Sequence, residues 1–286
     1  MIGRLAWVTT AAARGRDDDE PLALAALARA GVAVDVVDWD DGRVRWSAYD
    51  RTVLRSTWDY PERLPEFRRW LRSVQDVTDL RNSLDVVEWN LDKHYLAELD
   101  RAGVPITPTT FLEPGDELEP PAGDYVLKPA IGAGSRDAAS YGPDQADLAR
   151  AHVRRLHDRG TSVLVQPLLA SVAVDGEWPL VFLGGRYSHA ASKRVTLPRA
   201  DVVAGLFATE TSAGHAADDE QLAVAGAAVD VVTRRFGAPT YARVDLVRDD
   251  AGHARVLELE LVEPSLFLPQ AGGDAVERVV AALTAA

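Results

Sequence analysis

The sequence predicts an α/β fold in which the N-terminal part of the chain is a parallel sheet with crossover helices. Two observations predict this class. In the first third of the chain, short apolar runs alternate with helical patterns of about 10–15 residues, as they do in parallel βαβ units. The 286 residues are 47% hydrophobic and 26% charged, an ordinary globular composition, and the length fits one large domain or two to three small ones.

The N-terminal third is predicted to contain three strands and two helices. In chain order the pattern gives a strand at 5–9, a helix at 21–30, a strand at 33–38, a hairpin-like segment at Asp41-Gly42, a strand at 51–56 and a helix at 61–74. Ligands of parallel sheets bind beyond the carboxyl ends of the strands, where Arg55 and Trp58 lie. Arg55 is therefore a candidate for receiving a substrate carboxylate. The alternative is a solvated arginine at the edge of an aromatic core.

The rest of the chain is predicted to contain four more helices, a linker and six more strands. The first of these helices has four apolar residues between 91 and 99 and stops at Gly103, before a linker at 113–124. Strands are then expected at 125–129, 162–168, 180–183, 187–194, 240–248 and 254–262, and helices at 146–158, 220–236 and 274–285. The stretch 195–217 has no period and is expected to be a loop that acts as a lid or a binding element.

The charge balance and the absence of cysteine exclude several classes of function. With 31 Lys and Arg against 44 Asp and Glu the net charge is −13, which argues against a protein that neutralises the phosphates of nucleic acid. Without cysteine there is no disulfide, thiolate nucleophile or cysteine zinc site. No apolar run reaches the roughly 18 residues that cross a membrane. We expect a cytoplasmic protein, which could be a homo-oligomer, with small-molecule partners and neither nucleic acid nor a membrane among them.

Lysine is rare in this sequence. Of the 31 basic residues only Lys93, Lys128 and Lys193 are lysines, in a chain rich in Ala, Arg, Val and Asp, as a G+C-rich coding bias would produce. Such a bias favours arginine wherever either base serves. A retained lysine is therefore a candidate for a site that needs a compact, rotatable ammonium group rather than a planar guanidinium. The alternative is that the three lysines are chance survivors on the surface.

A predicted hairpin near the C-terminus brings four ionisable residues together. With a four-residue loop at 249–252, Arg243 would lie opposite Glu258, and both would share one face with Asp245 and Glu260. The other face would hold Leu257, Leu259 and Leu261. Three close carboxylates repel one another unless a cation lies among them, and hard oxygen ligands favour Mg²⁺, which also takes oxygens from phosphates. The alternative is a polar edge strand with an ordinary cross-strand ion pair, and a five-residue loop would separate the set.

A glycine-bearing loop follows the strand that ends at Lys128-Pro129. Gly132 and Gly134, next to Ser135, would let backbone N–H groups approach phosphate oxygens, and Lys128 would supply a positive charge beside them. The loop matches neither the dinucleotide-binding nor the P-loop pattern. Alone it is also compatible with a plain turn.

Together these motifs resemble the ATP-grasp superfamily, and within it the carboxylate ligases similar to glutathione synthetase. The matching motifs are Asn-Leu-Asp-Lys93, Val-Leu-Lys128-Pro, the loop 132–135, Leu-Val-Gln166-Pro, Arg243-Val-Asp245 and Glu258-Leu-Glu260 followed by Pro264. Trp58-Asp-Tyr, Gly-Glu177-Trp-Pro-Leu-Val-Phe and Glu260-Leu-Val-Glu-Pro-Ser-Leu-Phe look like a small bacterial group that includes the O-ureidoserine cyclo-ligase of cycloserine biosynthesis. The resemblance implies an N-terminal α/β domain at 1–85 and two α+β subdomains, a lid at 86–166 and a metal-binding part at 167–286, that clasp ATP.

The resemblance also implies a role for each motif residue. The nucleotide would be bound at its phosphates by Lys93, Lys128, Gly132, Gly134 and Ser135, at its adenine by Gln166 and the backbone of Leu168, and at its ribose by Glu177. Asp245, Glu258 and Glu260 would hold one or two Mg²⁺ ions. The residues facing the transferred phosphate or the substrate would be Arg243, Lys193 and Arg194, with Arg55 and Trp58 as further substrate candidates. Glu260 stands where most relatives have Asn, which makes the metal site more anionic.

The activity that follows from the resemblance is that of an ATP- and Mg²⁺-dependent carboxylate ligase. It would act through an acyl phosphate on a small amino-acid-like substrate and form a C–N bond, between two molecules or by cyclisation, in specialised metabolism such as antibiotic biosynthesis. The alternatives are an ATP-grasp phosphotransferase and a non-catalytic nucleotide-binding module. The sequence does not name the acid or the nucleophile.

Overall fold

The computed structural model describes residues 2–203, 205 and 208–285 of the chain. Over these residues the chain forms three β-sheets, each from a different stretch of sequence, and eight α-helices. One sheet is parallel and two are antiparallel, so the predicted α/β class with a parallel N-terminal sheet is confirmed. None of the described helices is long and apolar enough to cross a membrane.

The N-terminal sheet is parallel, with the strand order β2-β1-β3-β4. Its elements in chain order are β1 Arg4–Thr9, α1 Glu20–Arg29, β2 Ala33–Asp38, β3 Arg51–Ser56, α2 Leu64–Gln75 and β4 Asp79–Arg81. The two central strands, β1 and β3, are buried along almost their whole length, as expected of a parallel sheet that is covered on both faces. The hairpin-like segment expected at Asp41-Gly42 is instead a turn, in which the Asp41 carboxylate accepts the backbone N–H of Arg43 at 2.9 Å.

The second sheet is antiparallel, with the order β5-β8-β6-β7. It contains β5 Thr110–Leu112, β6 Tyr125–Pro129, β7 Ala139–Tyr141 and β8 Val163–Pro167, and α5 Ala146–His157 packs against it. The strands β5 and β7 are not predicted from the sequence, because three residues are too few to show a period.

The single helix expected before Gly103 is two helices, α3 Leu84–Asn90 and α4 Tyr95–Arg101. Between them the chain leaves the helical path, and the backbone N–H of Lys93 donates to the carbonyl of Ala130 at 2.9 Å. This break places Lys93 beside the loop that follows β6.

The third sheet is antiparallel, with the order β11-β10-β9-β12-β13. Its strands are β9 Trp178–Leu183, β10 Arg186–Thr196, β11 Thr209–His215, β12 Tyr241–Arg248 and β13 Ala254–Glu260, and the helices of this part are α6 Ala170–Val174, α7 Asp219–Phe236 and α8 Ala275–Thr284. One core lies between α7 and this sheet and includes Val229, Val244 and Leu259. A second core, which includes Leu5 and Val181, joins the N-terminal sheet to the third sheet beneath α8.

The stretch 195–217, expected to be a loop, contains the end of β10 and the whole of β11. The two strands pair from Ala190 opposite His215 to Thr196 opposite Thr209. The strand β11 escapes sequence prediction because it is an exposed edge strand of small and polar residues, held by hydrogen bonds to β10 rather than by an apolar face. Residues 204, 206 and 207 of this stretch lie outside the described residues, and a lid role stays a prediction.

The division of the chain at residues 85 and 166 also stays a prediction. In its support, each of the three predicted segments supplies the strands of one sheet, apart from the short end of β8. However, α3 runs across residue 85 and β8 runs across residue 166, so neither boundary falls between elements.

Candidate active site

The hairpin of β12 and β13 has a different register from the predicted one. Its turn has five residues rather than four, because Arg248 pairs with Ala254. By itself that turn would separate the acidic set. One extra residue in β13, Leu257, forms a bulge that shifts the pairing by one further residue in the same direction.

The bulge leaves the four ionisable side chains on one face. Asp245 lies opposite Glu258, and Arg243 lies opposite Glu260. The predicted pairing of Arg243 with Glu258 is therefore wrong by two residues along β13, and this even shift keeps the predicted shared face. Leu257, expected on the core side, lines a cleft instead.

This cleft has a volume of about 490 Å³ and is lined by residues of the N-terminal part and of both antiparallel sheets. All three lysines of the chain line it: Lys93 before α4, Lys128 on β6 and Lys193 on β10. Their side chains are only 10%, 15% and 12% exposed, so the alternative of chance survivors on the surface is wrong. Other predicted site residues that line the cleft are Trp58, Gly132, Gly134, Ser135, Gln166, Leu168, Glu177, Arg243, Glu258 and Glu260.

Two of the lysines hold the two carboxylate oxygens of Glu258. The Nζ of Lys93 lies 2.9 Å from Oε1, and the Nζ of Lys128 lies 3.5 Å from Oε2. Burial opposes charge on these groups, but the attraction to Glu258 holds the pKa of Lys93 above its usual value. In spite of burial, Lys93 and Lys128 hold the pKa of Glu258 well below its usual value. Both partners are therefore charged near neutral pH, at the mouth of the glycine loop.

The third lysine bridges two further acids. The Nζ of Lys193 lies 2.9 Å from Oε2 of Glu177 and 3.3 Å from Oδ2 of Asp245. Glu177 and Lys193 also exchange backbone hydrogen bonds of 2.7 and 2.8 Å, which fix the two chains side by side. Burial lowers the pKa of Lys193, but the charges of Asp245 and Glu177 outweigh burial and raise this pKa above its usual value.

Arg243 is fixed on several sides. Its Nε and Nη2 donate to the two oxygens of Asp245 at 2.7 and 3.0 Å, and it also contacts Glu260. Nη1 donates to the backbone carbonyl of Ser265 at 3.1 Å, and the guanidinium lies 5.5 Å from the centre of the Phe267 ring. The guanidinium is thus held in one orientation at the cleft wall.

The acids of the predicted magnesium site fit the ion by their chemistry. Asp245, Glu258 and Glu260 offer hard oxygen donors on one face of neighbouring strands. Burial, with repulsion from Asp245 and Glu258, raises the pKa of Glu260 to about 7, which means that the face is short of positive charge. In the part of the chain that the structure describes, no three acidic or histidine side chains already form a metal site. The two oxygens of Glu258 are paired with Lys93 and Lys128 instead, so metal binding at this carboxylate would require the two lysines to turn away.

The end of the cleft beside β8 suits a planar base. The Gln166 side chain is buried and donates to the hydroxyl of Thr109 at 2.9 Å. Val126, which pairs with Gln166 across the sheet, and Leu168 add apolar surface to the cleft. The backbone N–H of Leu168 is already bonded to the carbonyl of Asp124 at 2.9 Å, so that donor is not available to a base.

The glycine loop lies directly over the lysines. The Nζ of Lys93 donates to the carbonyl of Gly132 at 3.2 Å. Gly134 has a φ of 62°, a conformation that other residues rarely adopt. These contacts support the phosphate-covering role given to the loop.

Three predicted site residues are not among those that line the cleft. Asp245 is 2% exposed and is covered by Arg243 and Lys193, which do line it. Arg55 is 1% exposed and donates to the carbonyl of Pro264 at 2.7 Å, so it is enclosed behind the cleft wall and cannot receive a substrate carboxylate. Arg194 is exposed and donates to the carbonyl of Val174 at 2.8 Å, because successive residues of β10 point to opposite faces and Lys193 takes the inner one.

The sequence reasoning misses several residues of the cleft. Glu263, Ser265 and Phe267 follow the acidic strand and line the wall next to Arg243, and Tyr60 lines the opposite side. The spacing Glu258-x-Glu260-x-x-Glu263 is a signal that could have indicated the first of them.

The edge of β13 is also held from outside the third sheet. The Asn90 side chain donates to the carbonyl of Leu259 at 2.9 Å and accepts the N–H of Leu261 at 2.7 Å. The hydroxyl of Tyr95 accepts the N–H of Leu259 at 3.0 Å. These bonds fix the strand that carries Glu258 and Glu260.

Comparison with known proteins gives one close group of relatives. Residues 5–82 match the family model described as D-cycloserine synthetase DcsG, N-terminal domain. Over 280 residues the chain is 39% identical to the cycloserine biosynthesis protein DcsG of Streptomyces lavendulae, with 93% of each sequence covered. The crystal structure of D-cycloserine synthetase DcsG superposes with a TM-score of 0.88 at 37% identity and 98% coverage of both chains.

More distant solved structures share the fold. The ATP complex of D-alanine–D-alanine ligase from Bacillus anthracis matches with a TM-score of 0.65 at 14% identity, covering 98% of this chain and 96% of that one. The ATP-grasp ligase PsnB with its minimal precursor matches with a TM-score of 0.64 at 18% identity, covering 98% and 97%. At these identities the likeness concerns the architecture alone.

Proposed function

Because the chain belongs to the family of D-cycloserine synthetase DcsG and is an ATP-grasp ligase, we propose that it activates a small amino acid as an acyl phosphate. A nitrogen of the same molecule then displaces phosphate and closes the ring of a cycloserine-type antibiotic. The observation that carries the proposal is the gathering of Lys93, Lys128, Lys193 and Arg243 around buried acids in one cleft.

Lys93 and Lys128 are placed so that they could leave the carboxylate of Glu258 and bind the triphosphate of ATP instead. In the structure Lys93 and Lys128 neutralise Glu258. The triphosphate of ATP carries more negative charge than one carboxylate, so it would draw both ammonium groups toward its oxygens beneath the glycine loop. Glu258 would then be left without a counter-ion.

The released acids are the groups that would hold magnesium. We propose that Glu258 and Glu260, with Asp245 opposite, bind the one or two Mg²⁺ ions that ATP-grasp ligases use in general. When bound, the ion supplies positive charge that neutralises the phosphate groups.

Arg243 and Lys193 would stabilise the transfer itself. A carboxylate oxygen of the substrate attacks the γ-phosphorus of ATP, the bond from that phosphorus to ADP breaks, and an acyl phosphate forms. The negative charge on the moving phosphoryl group requires cations that are already in position. The bonds of Arg243 to Asp245 and Ser265 hold the guanidinium at the cleft wall, so little reorganisation is needed during the reaction.

The second step is the formation of the C–N bond. The attacking nitrogen bonds to the carbonyl carbon, the bond from that carbon to the phosphate oxygen breaks, and the leaving inorganic phosphate takes up the proton that the nitrogen loses. The acyl phosphate must be kept from water during this step, because hydrolysis would waste it. The glycine loop and the β10–β11 hairpin, which line and border the cleft, are the elements that would exclude water.

Product analysis with MgATP and O-ureidoserine tests the proposal. We expect ADP and free phosphate in equal amounts, released only when the acid is present, together with a cyclic product. Phosphate retained on the acid would indicate a phosphotransferase, and nucleotide binding without any release would indicate a binding module. Either result would overturn the proposed reaction.

A further inference from the structure

The segment 263–268, which follows β13, forms one wall of the cleft. Residues on the side away from the cleft hold the backbone of this segment through hydrogen bonds. Its alternate side chains, Glu263, Ser265 and Phe267, line the cleft. The backbone groups between them are bonded to residues outside the cleft, in the N-terminal part and on β10. Such an arrangement presents three side chains in fixed positions toward whatever lies in the cleft.

A buried ion pair of the N-terminal part holds this wall. Asp19 and Arg55 are each 1% exposed, with Nη2 of Arg55 3.6 Å from Oδ2 of Asp19. Asp19 accepts the backbone N–H groups of Leu266 and Leu268, the second at 2.7 Å, and Arg55 donates to the carbonyl of Pro264 at 2.7 Å.

Two further contacts complete the support. Nε2 of His189 lies 2.6 Å from the carbonyl oxygen of Leu266, and Arg243 binds the carbonyl of Ser265. Phe267 has a φ of 53°, in the left-handed region that a phenylalanine adopts only when its surroundings impose it. A wall held this tightly, including a strained residue, indicates a surface whose shape is needed for binding.

Glu263 is the acidic member of this wall. The residue is 8% exposed and lines the cleft. Within the described residues its carboxylate has no ion-pair partner: it accepts the N–H of its own backbone, and Lys93 and Arg243 act on it only from a greater distance. Burial and the charge of Glu260 raise the pKa of Glu263 to about 8. With this pKa the side chain is largely protonated near neutral pH, and a cationic group bound in the cleft would favour its charged form.

We propose that Glu263 binds the α-ammonium group of the substrate and thereby selects α-amino acids over acids that lack this group. The inference rests on the proposed function, since it takes the activated carboxylate to lie at Arg243. In an α-amino acid one carbon separates the carboxylate carbon from the nitrogen. Arg243 is bound to Ser265, two residues from Glu263 on the same wall, so the two ends of such a substrate would meet the guanidinium and the carboxylate together.

The experiment compares O-ureidoserine with its counterpart that has a hydroxyl in place of the α-amino group. Turnover with MgATP is measured for the wild type and for Glu263→Gln, which keeps the size of the side chain and removes its charge. Glu210→Gln makes the same change at an exposed acid that also lines the cleft, and serves as the matched control. Binding of both acids in the presence of a non-hydrolysable ATP analogue is measured by calorimetry.

We expect the wild type to prefer the amino acid by about 100-fold in kcat/KM, which is the usual size of a charged hydrogen bond. Glu263→Gln should lose that preference, chiefly through a higher KM for the amino acid. Its kcat/KM for the hydroxy acid and its affinity for MgATP should stay within about threefold of the wild type. Glu210→Gln should keep the preference.

Other outcomes distinguish the ammonium-binding role of Glu263 from the proposed function of the protein. Suppose that the wild type turns over the amino acid, but that Glu263→Gln keeps the same preference or that its kcat/KM falls equally for both acids. The proposed role of Glu263 would then be wrong, and the proposed function would stand. If calorimetry shows the preference and its loss in Glu263→Gln but no acid is turned over, the proposed function is wrong while the ammonium site stands. If neither acid binds to the wild type, both are wrong.

Discussion

Asp245 and Glu258 lie directly opposite each other across the β12–β13 hairpin, and lysines from other parts of the chain neutralise both. Lys193 reaches Asp245, while Lys93 and Lys128 share Glu258. The cleft therefore holds its acids and its lysines in contact with one another. Binding of MgATP would separate them, because the phosphates attract the lysines and the magnesium attracts the acids.

Removing one of these lysines should abolish activity without unfolding the protein. Lys128→Ala deletes a charge proposed to bind phosphate, and we expect kcat/KM to fall by at least about 100-fold, the effect of losing an electrostatic contact to a transferring group. The side chain lies at the cleft and outside the apolar cores, so the melting temperature should change little. ADP release and thermal unfolding are the two measurements. Near-wild-type turnover would reject the phosphate site.

Neighbouring residues of β10 should differ sharply in their effect. Lys193→Ala removes the ammonium group that bridges Glu177 and Asp245 inside the cleft, whereas Arg194→Ala removes a side chain on the outer face. We expect a loss of turnover of at least about 100-fold for the first and a change within about twofold for the second. Equal losses in steady-state assays would mean that the outer face of β10 also takes part in catalysis.

The acids of β13 should differ in their tolerance of substitution. Glu258→Gln should abolish turnover, because both lysines and the proposed metal depend on this carboxylate. Glu260→Asn introduces the residue found in most of the ATP-grasp proteins that the chain resembles. It should remain active but require roughly tenfold more Mg²⁺, since one charged ligand is lost.

Magnesium titrations of ADP release measure both effects, and the EDTA-treated wild type should be inactive until Mg²⁺ is restored. An unchanged magnesium requirement in Glu260→Asn would remove Glu260 from the site.

The Asp19–Arg55 pair should contribute to stability. Asp19→Asn leaves the buried guanidinium of Arg55 without its counter-charge, which should lower the free energy of unfolding by about 3 kcal/mol. The control, Asp35→Asn, breaks the exposed pair of Asp35 with Arg4 and should cost less than about 1 kcal/mol. Denaturant unfolding compares the two. Similar small losses would show that the pair does not support the wall of the cleft.

His152 should make the protein sensitive to acid. Burial and the nearby Arg155 lower the pKa of its imidazole to about 4, while in an unfolded chain histidine titrates near 6.5. The unfolded state takes up a proton below that pH and the folded state does not. Stability contributed by this residue is therefore complete above about pH 6.5 and falls by roughly 1.4 kcal/mol per pH unit toward pH 4.

The test is the pH dependence of unfolding in His152→Gln. The replacement is neutral at every pH and can still bond to the hydroxyl of Tyr141, which lies 3.0 Å from Nδ1 of the histidine. We expect a shallower loss of stability between pH 6.5 and pH 4 than in the wild type. Identical slopes would show that His152 is not the group responsible.

The sequence predicts those parts of the fold whose apolar patterns are long enough to read. The strands 33–38, 51–56 and 125–129 are found at the predicted residues, because each contains at least two adjacent apolar residues of high strand propensity. The strands β4, β5, β7 and β11 are absent from the prediction, since three of them are only three residues long and β11 is polar and exposed. Hydrogen bonds to neighbouring strands, which a local pattern does not report, determine them.

The candidate site could be predicted in its composition but not in all its contacts. The scarcity of lysine is enough to single out Lys93, Lys128 and Lys193, and all three line one cleft. The bulge at Leu257 leaves no sequence signal, so the register could not be obtained from alternation alone. Arg55 is assigned to the substrate because it ends a strand, but the wall segment 263–268, which is distant in sequence, covers it.

The account is tested most directly by a crystal structure of the protein with Mg²⁺ and a non-hydrolysable ATP analogue. We expect the Nζ atoms of Lys93 and Lys128 to lie on phosphate oxygens, and Mg²⁺ to lie about 2.1 Å from oxygens of Glu258 and Glu260. A nucleotide bound elsewhere, or a magnesium ion held without these carboxylates while the lysines remain on Glu258, would contradict the account.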